Sequence, residues 1–142
     1  MRYFTISELC RSDTASRMGI NNTPTEEVKR KLERLIDEVL DPVREAYGKP
    51  VRVSSGYRCR RLNTAVGGAK TSQHQYGEAA DLIPADGNTR RLFFLIKKMI
   101  DEGKITCGQL IWEGGTRYAP KWVHISLETP KHRNQILYIG MK

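Results

Sequence analysis

Two histidines and one aspartate are the residues of this sequence best suited to chemistry. Asp81 follows His74 by seven residues, and His124 lies far along the chain in the segment WVHIS. Asp81 and His124 each interrupt an apolar, strand-like segment, and a carboxylate is costly to bury there unless it is paired or binds a metal. Two imidazoles and one carboxylate can hold a catalytic zinc ion and leave a fourth position for water. The three side chains are therefore candidate metal ligands.

The residues alone also permit a structural interpretation of the same side chains. Asp81 could cap a loop, and His124 could be a buried histidine whose hydrogen bonds are satisfied inside the core. The seven-residue spacing between His74 and Asp81 does not separate the two interpretations, because it lacks the fixed helical geometry of an HExxH motif.

The elements that must position these residues are short strands and two helices. Strands are predicted at 51–54, 79–83, 109–113, 121–127 and 135–139. Helices are predicted at about 24–48 and 89–103, where apolar residues recur every three or four positions. This pattern indicates an α+β domain with a small antiparallel sheet and helices packed on one side.

The beginning of the chain carries more specific signals. Thr23, Pro24 and Glu26 form a capping-box pattern, with Thr23 as the N-cap of the first helix. Pro42 interrupts the same helix and should kink or break it near Asp41. Residues 1–22 are predicted to be an irregular arm. Because 142 residues make about one domain, we expect a single domain over 1–142.

The charge of the chain is basic. There are 24 lysines and arginines against 16 acidic residues, a net charge of +8. Such a charge suits a soluble surface or an anionic partner, which could be nucleic acid, a phosphate-bearing polymer or a cell wall. The basic clusters are short and no nucleic-acid-binding signature surrounds them, so we expect no nucleic-acid partner.

The cysteines do not predict a disulfide framework or a metal site. Cys10, Cys59 and Cys107 are far apart and odd in number, and no CxxC pair occurs. We expect three partly buried, reduced thiols, since cysteine-bound zinc uses paired spacings.

The sequence has no apolar run close to the roughly 20 residues that cross a bilayer. Its first eight residues, MRYFTISE, also lack the apolar core of a secretory signal. We expect no membrane partner and cytoplasmic synthesis. Action outside the cytoplasm would need another route, such as release to the cell wall or carriage in a virion.

Several motifs in order resemble the zinc D-Ala-D-Ala carboxypeptidase and peptidoglycan endopeptidase family. They are SxHxxGxAxD over 72–81, WVHIS over 122–126 and SSGYR over 54–58. Residues 4–9 and 40–44 are similar to its short, single-domain branch, so the resemblance runs from about residue 4 to 127. This family includes bacterial wall peptidases and phage endolysins, and the hedgehog signalling domain shares its fold.

The resemblance implies a hedgehog-like fold and zinc-dependent hydrolysis of peptidoglycan stem peptides by a monomer. The positions that match the family's metal ligands are His74, Asp81 and His124. Arg58 matches an arginine that contacts the substrate and helps to polarise the scissile carbonyl. Ser72 matches a serine at the substrate site. Tyr57, beside Arg58, could bind substrate or simply pack, and His132 is expected to be a surface residue.

The general base is the least defined position. Some relatives have an acid three residues before the last histidine, where this chain has Lys121, and others have a histidine two before it, where this chain has Trp122. Glu113 is favoured over Glu78 or Glu128. It ends the strand before the last histidine, as in hedgehog-type relatives, and a hairpin would bring it near that histidine.

Three functions remain in competition. The leading one is a zinc peptidase, acting either as a D-Ala-D-Ala carboxypeptidase or as an endolysin-type endopeptidase. The second is a non-catalytic, metal-containing domain of the same fold that binds a wall or a partner, because both usual base positions are missing. The third is a basic nucleic-acid-binding domain, which salt-dependent retention on DNA would reveal.

Overall fold

The short alternating segments form one five-stranded sheet. In the computed structural model, which describes residues 1–142, the strand order is β1-β2-β4-β3-β5. The strands are β1 Val51–Ser55, β2 Ala79–Pro84, β3 Gln109–Glu113, β4 Trp122–Ser126 and β5 Gln135–Ile139. All five predicted strands are present within one residue at each end, and the predicted α+β class is confirmed.

The sheet departs from the antiparallel expectation at its last strand. The pairs β1–β2, β2–β4 and β3–β4 are antiparallel, whereas β5 runs parallel to β3. The reason lies in the turn after β4. There Asn134 donates to the carbonyl of Cys107 and Gln135 donates to that of Gly108. Because β5 begins beside the start of β3, it runs in the same direction.

The two faces of the sheet have different characters. Successive side chains of a strand point to opposite faces. One face is fully apolar and belongs to a core cluster of 25 buried residues, to which it contributes Ala80, Leu82, Leu110, Trp112, Val123 and Ile125. The other face carries Asp81 and His124, which are opposite each other in the β2–β4 register. The helices cover the first face and leave the second for the site.

The first long helix begins two residues later than predicted. Helix α3 spans Glu26–Leu35, and its N-cap is Thr25, whose Oγ1 accepts a hydrogen bond from the N–H of Val28 at 3.2 Å. Thr23 was the wrong cap. Its own N–H donates to the side chain of Asn21, which places Thr23 in a turn before the helix.

The predicted disturbance at Pro42 takes the form of a widened turn. A π-helical turn, Ile36–Leu40, follows α3, and the N–H of Asp41 donates to the carbonyl of Ile36. Helix α4, Asp41–Tyr47, then carries Pro42 in its first turn. Proline has no N–H to give, so the first turn of a new helical segment is the position that tolerates it. The chain therefore stays helical across the proline.

The longest helix packs on the apolar face. Helix α6, Thr89–Asp101, begins at the Asn88 cap and buries Leu92, Phe93 and Ile96. Phe93 stacks edge-on against Trp112 of β3, with ring centroids 5.2 Å apart. No helix of the protein combines the length and the apolar composition needed to cross a bilayer.

Residues 1–22 are more ordered than the irregular arm expected. They contain helix α1, Ile6–Cys10, capped by Thr5, and helix α2, Asp13–Met18, capped by Ser12. The hydroxyl caps allow such short helices to form, and complete burial of Leu9 fixes α1 against the core. A further short helix, α5 Arg60–Ala65, follows β1.

All three cysteines are free thiols. Burial raises the pKa of Cys10 to about 11 and that of Cys107 to about 12. These two thiols therefore stay protonated at neutral pH and are poor metal ligands, because the thiolate is the ligating form.

Candidate metal centre

The structure brings the three candidate ligands together on the open face of the sheet. The Oδ1 atom of Asp81 lies 3.0 Å from Nδ1 of His124 and 3.4 Å from Nε2 of His74. Both histidines are more than 90% buried. One ligating atom from each residue lies within 4.8 Å of the other two. The residues that the sequence separates by up to 50 positions thus form one compact cluster.

His74 is positioned by a short 3₁₀ helix, Gln73–Tyr76, beside the sheet. The hydroxyl of Ser72 caps this helix by accepting from the N–H of His74, and Gly77 ends it in a left-handed conformation, with φ of 70°. The β1–α5 loop grips the same residue, because the carbonyl of Gly56 bonds to His74 Nδ1 at 2.7 Å. His74 is consequently held by backbone on both sides.

The hydrogen bonds of the two imidazoles leave a space for a cation. A neutral imidazole carries one ring proton. In His74 the carbonyl of Gly56 accepts it from Nδ1. In His124 the proton lies on Nε2 when Gln73 Oε1, 3.1 Å away, is the acceptor, and on Nδ1 when Asp81 Oδ1, 3.0 Å away, is the acceptor. In the first of these tautomers, His74 Nε2, His124 Nδ1 and a carboxylate oxygen converge with no proton between them.

Three converging lone pairs repel one another unless a positive ion lies among them. A tetrahedral zinc ion held about 2.1 Å from its ligands separates the ligand atoms by about 3.4 Å. The Asp81-to-histidine distances of 3.0 and 3.4 Å are close to that value. The donor set therefore fits a metal ion bound by His74 Nε2, Asp81 Oδ1 and His124 Nδ1.

Asp81 is ionised despite its burial. Burial raises its pKa, but the close contacts with the imidazoles of His124 and His74 outweigh that effect and hold the pKa well below its ordinary value. An ionised carboxylate supplies the negative charge that a divalent ion needs in a site otherwise built from neutral imidazoles.

Gly56 contacts both helix α1 and the candidate ligand His74, so a substitution at Gly56 should change metal affinity. A Cβ added at Gly56 would overlap the carbonyl oxygen of Leu9, so the loop must move and carry the carbonyl that holds His74 with it. We expect Gly56→Ala to cost about 1–3 kcal/mol of stability from overpacking. Metal affinity should fall about 10–100-fold, as when other partners of a ligand are lost.

The matched control for Gly56→Ala is Gly87→Ala, at a turn with open space around it but a positive φ of 75°. Backbone strain should also destabilise this variant, by about 1 kcal/mol, without affecting metal binding. Thermal unfolding and a chelator competition measure the two effects. An unchanged metal affinity in Gly56→Ala would contradict the proposed link.

The candidate ligands lie in a cavity of about 420 Å³ that also contains predicted substrate-binding residues. Arg58 and Ser72 are both in its wall, and Arg58 Nη2 donates to Ser72 Oγ at 3.2 Å. The Nε atom of Arg58 is buried without a hydrogen-bond partner. Burial lowers the pKa of Arg58 and nearby Asp81 opposes that shift. A buried donor without a hydrogen-bond partner is energetically costly.

Glu113 is the candidate base that lies in the same cavity. It pairs with Trp122 across the β3–β4 hairpin, two residues from His124 and on the same face. Burial raises the pKa of Glu113, and attraction to His124 partly opposes that rise. Glu78 and Glu128 do not line this cavity and instead face Lys31 and Arg133, respectively.

Tyr57 takes the packing alternative, and His132 lies elsewhere than the sequence suggested. Tyr57 is buried in the core cluster and lines a neighbouring cavity, so it is not brought to the ligands. His132, expected at the surface, is half-buried and lines the ligand cavity, where its Nδ1 bonds to Gln135 at 2.9 Å. The turn that starts β5 beside β3 carries His132 back over the site.

The sequence reasoning missed Gln73 as part of the site, and it left open whether Trp122 belongs to the core or to a groove wall. Trp122 lines the cavity, and Gln73 both lines it and bonds to a candidate ligand. The face of Trp122 follows from strand alternation, because it lies two residues before His124. No local signal identifies Gln73, whose partner is 51 residues away.

Comparison with known proteins agrees with this geometry. The family model described as Peptidase M15 matches residues 2–126, which is most of the chain. The chain is also similar to a zinc D-Ala-D-Ala carboxypeptidase from Streptomyces albus G, with 50% identity over 44 residues. That match covers 30% of this chain and 17% of the relative. Since the family model spans all three candidate ligands, Arg58 and Glu113, the chain belongs to the peptidase M15 family.

Proposed function

We propose that the protein is a zinc-dependent peptidase that hydrolyses the stem peptides of peptidoglycan. The observation that carries this proposal is the convergence of two imidazole nitrogens and one carboxylate oxygen, all within 4.8 Å of one another, in an open cavity. Three protein ligands with a free position are typical of catalytic zinc sites, whereas structural sites use four. Membership of the peptidase M15 family and the zinc carboxypeptidase relative support the choice of metal and reaction.

The residues around the cluster supply the proton transfers that peptide hydrolysis needs. When held by His74, Asp81 and His124, zinc would act as a Lewis acid that lowers the pKa of water towards about 7. Glu113 takes one proton from the attacking water and passes it to the leaving amine as the C–N bond breaks and the C–O bond forms. Glu113 lies on the same face of the sheet as His124 and lines the cavity, which supports this role.

Arg58 is proposed to stabilise the scissile carbonyl as its oxygen gains negative charge. A planar guanidinium donates several hydrogen bonds in fixed directions, and donors placed in advance cost little reorganisation during the reaction. Ser72 holds one end of the guanidinium through its Oγ, and the remaining N–H groups of the fork can donate to the substrate. The same fork also suits a terminal carboxylate.

Replacing Arg58 by lysine tests this assignment. Lysine keeps the positive charge but loses the planar fork, so we expect kcat/KM to fall by about 10²–10³, the range seen for loss of one oxyanion donor. Zinc affinity should stay near that of the unmodified protein. Arg60→Lys, an exposed arginine at the start of α5, is the control. If both variants retain full activity, Arg58 does not contact the reacting carbonyl.

The substrate class, and where the enzyme meets it, are part of the same proposal. The similarity to a D-Ala-D-Ala carboxypeptidase supports a D-amino-acid bond as the target, cleaved either as a carboxypeptidase or as an endolysin-type endopeptidase. The net charge of +8 would attract the enzyme to an anionic cell wall after release from the cytoplasm or delivery by a virion. One continuous 25-residue core supports a single domain, and the monomeric state is part of the proposal.

The proposal is tested by incubating purified sacculi with zinc-loaded protein and with chelated protein, followed by mass spectrometry of the muropeptides. We expect zinc-dependent loss of stem-peptide bonds. Release of free D-Ala identifies a carboxypeptidase, and new internal amines identify an endopeptidase. If the loaded protein binds sacculi and cuts nothing, it is a non-catalytic binding domain. If it binds neither wall nor metal, the proposal is wrong.

A further inference from the structure

The two imidazoles of the cluster are oriented by different kinds of group. His74 Nδ1 bonds to a backbone carbonyl, that of Gly56. His124 Nε2 instead meets a side chain, Gln73 Oε1, at 3.1 Å, while Nδ1 of the same ring faces Asp81 at 3.0 Å. Only the second ring therefore depends on a side-chain acceptor to fix its tautomer.

We propose that Gln73 is a positioning residue of the zinc site, which holds His124 in the tautomer whose Nδ1 is free to bind the metal. This inference rests on the proposed function. By accepting the Nε2 proton, the amide oxygen keeps that proton away from Nδ1. Partners of this kind fix the orientation of a ligating histidine and raise its basicity.

The position of Gln73 in the chain gives it a second effect. It is the first residue of the 3₁₀ helix that also carries His74, and Ser72 caps that helix while contacting Arg58. One short helix thus supplies a ligand, the partner of another ligand and the support of the substrate arginine. Movement of this helix would change all three together.

Two substitutions separate the acceptor from the bulk of the side chain. Gln73→Met keeps the length and removes the strong acceptor, whereas Gln73→Glu keeps an oxygen at the same distance. Gln75→Met is the matched control, because Gln75 lies in the same helix and its Nε2 donates to the carbonyl of Lys70, not to a ligand. None of the three changes alters a proposed ligand.

The first readout is the zinc dissociation constant of each full-length variant, measured by competition with a chelator of known affinity. We expect Gln73→Met to bind zinc about 10–100-fold more weakly, and Gln73→Glu and Gln75→Met to stay near the unmodified protein. Equal zinc affinity in Gln73→Met and Gln75→Met would overturn the inference. Absence of zinc binding by the unmodified protein would instead overturn the proposed function.

The second readout is the tautomer itself. The chain has only three histidines, so ¹⁵N-detected correlation spectra of the zinc-loaded protein can resolve every ring nitrogen. We expect His124 to show a protonated Nε2 and a metal-bound Nδ1. A protonated Nδ1, or an Nε2 without a proton, would mean that Gln73 donates its NH₂ group, and would contradict the inference even if affinity changed.

Discussion

Asp81→Ala should lose zinc binding altogether under conditions in which the unmodified protein is saturated. Asp81 provides the only negative charge among the three ligand atoms and stands between both rings. Its removal leaves two imidazoles, and the loss of affinity should exceed the roughly 100-fold upper range for loss of a ligand's hydrogen-bond partner. Peptidase activity should disappear with the metal.

Thermal unfolding gives a readout of this prediction that needs no substrate. At a free zinc concentration about 100 times the dissociation constant, binding stabilises the folded state by about 2.7 kcal/mol. For a chain of this size that corresponds to a rise in Tm of about 8 °C. The rise should be absent in Asp81→Ala and in His124→Ala, and present in Asp101→Ala, whose carboxylate is exposed on α6. A full zinc-induced rise in Asp81→Ala would refute its assignment as a ligand.

Glu113→Gln should separate metal binding from turnover. Glutamine keeps the size and the polarity of the side chain but cannot accept the proton of the attacking water. We expect kcat to fall by about 10²–10⁴, the usual contribution of general acid–base catalysis. Zinc should still raise the Tm as in the unmodified protein, because Glu113 is not among the three ligands.

Glu78→Gln and Glu128→Gln are the discriminating controls for the base. Both glutamates lie outside the ligand cavity and face basic residues. Their activities should stay near that of the unmodified protein. If Glu113→Gln turns over normally while either control is inactive, the base has been assigned to the wrong carboxylate.

The strands were predictable because each is a short apolar or alternating segment bounded by turn residues. Asp81 and His124 stood out for the same reason, since each breaks an otherwise apolar strand, and the register then places them opposite each other. The direction of β5 was not predictable. The pattern of apolar residues in a strand does not identify its partner. The direction of β5 is set by the hydrogen bonds from Asn134 and Gln135 to the carbonyls of residues 107 and 108.

Contacts that depend on loops escaped the sequence analysis. His132 reaches the cavity only because the turn before β5 folds back over the sheet. Gln73 meets His124 only because the 3₁₀ helix packs on β2, the neighbour of β4. The cap at Thr25 was missed because Thr23 fits the capping-box pattern of the sequence. The hydrogen bond from Thr23 to Asn21, which places Thr23 in a turn before the helix, is visible only in the folded chain.

The most direct test is a crystal structure of the zinc-loaded protein with anomalous data collected on both sides of the zinc absorption edge. We predict one strong anomalous peak, bound by Nε2 of His74, Oδ1 of Asp81 and Nδ1 of His124, with a further position open to the cavity. A peak at other residues, or these three side chains turned away from one another in the loaded protein, would contradict the account.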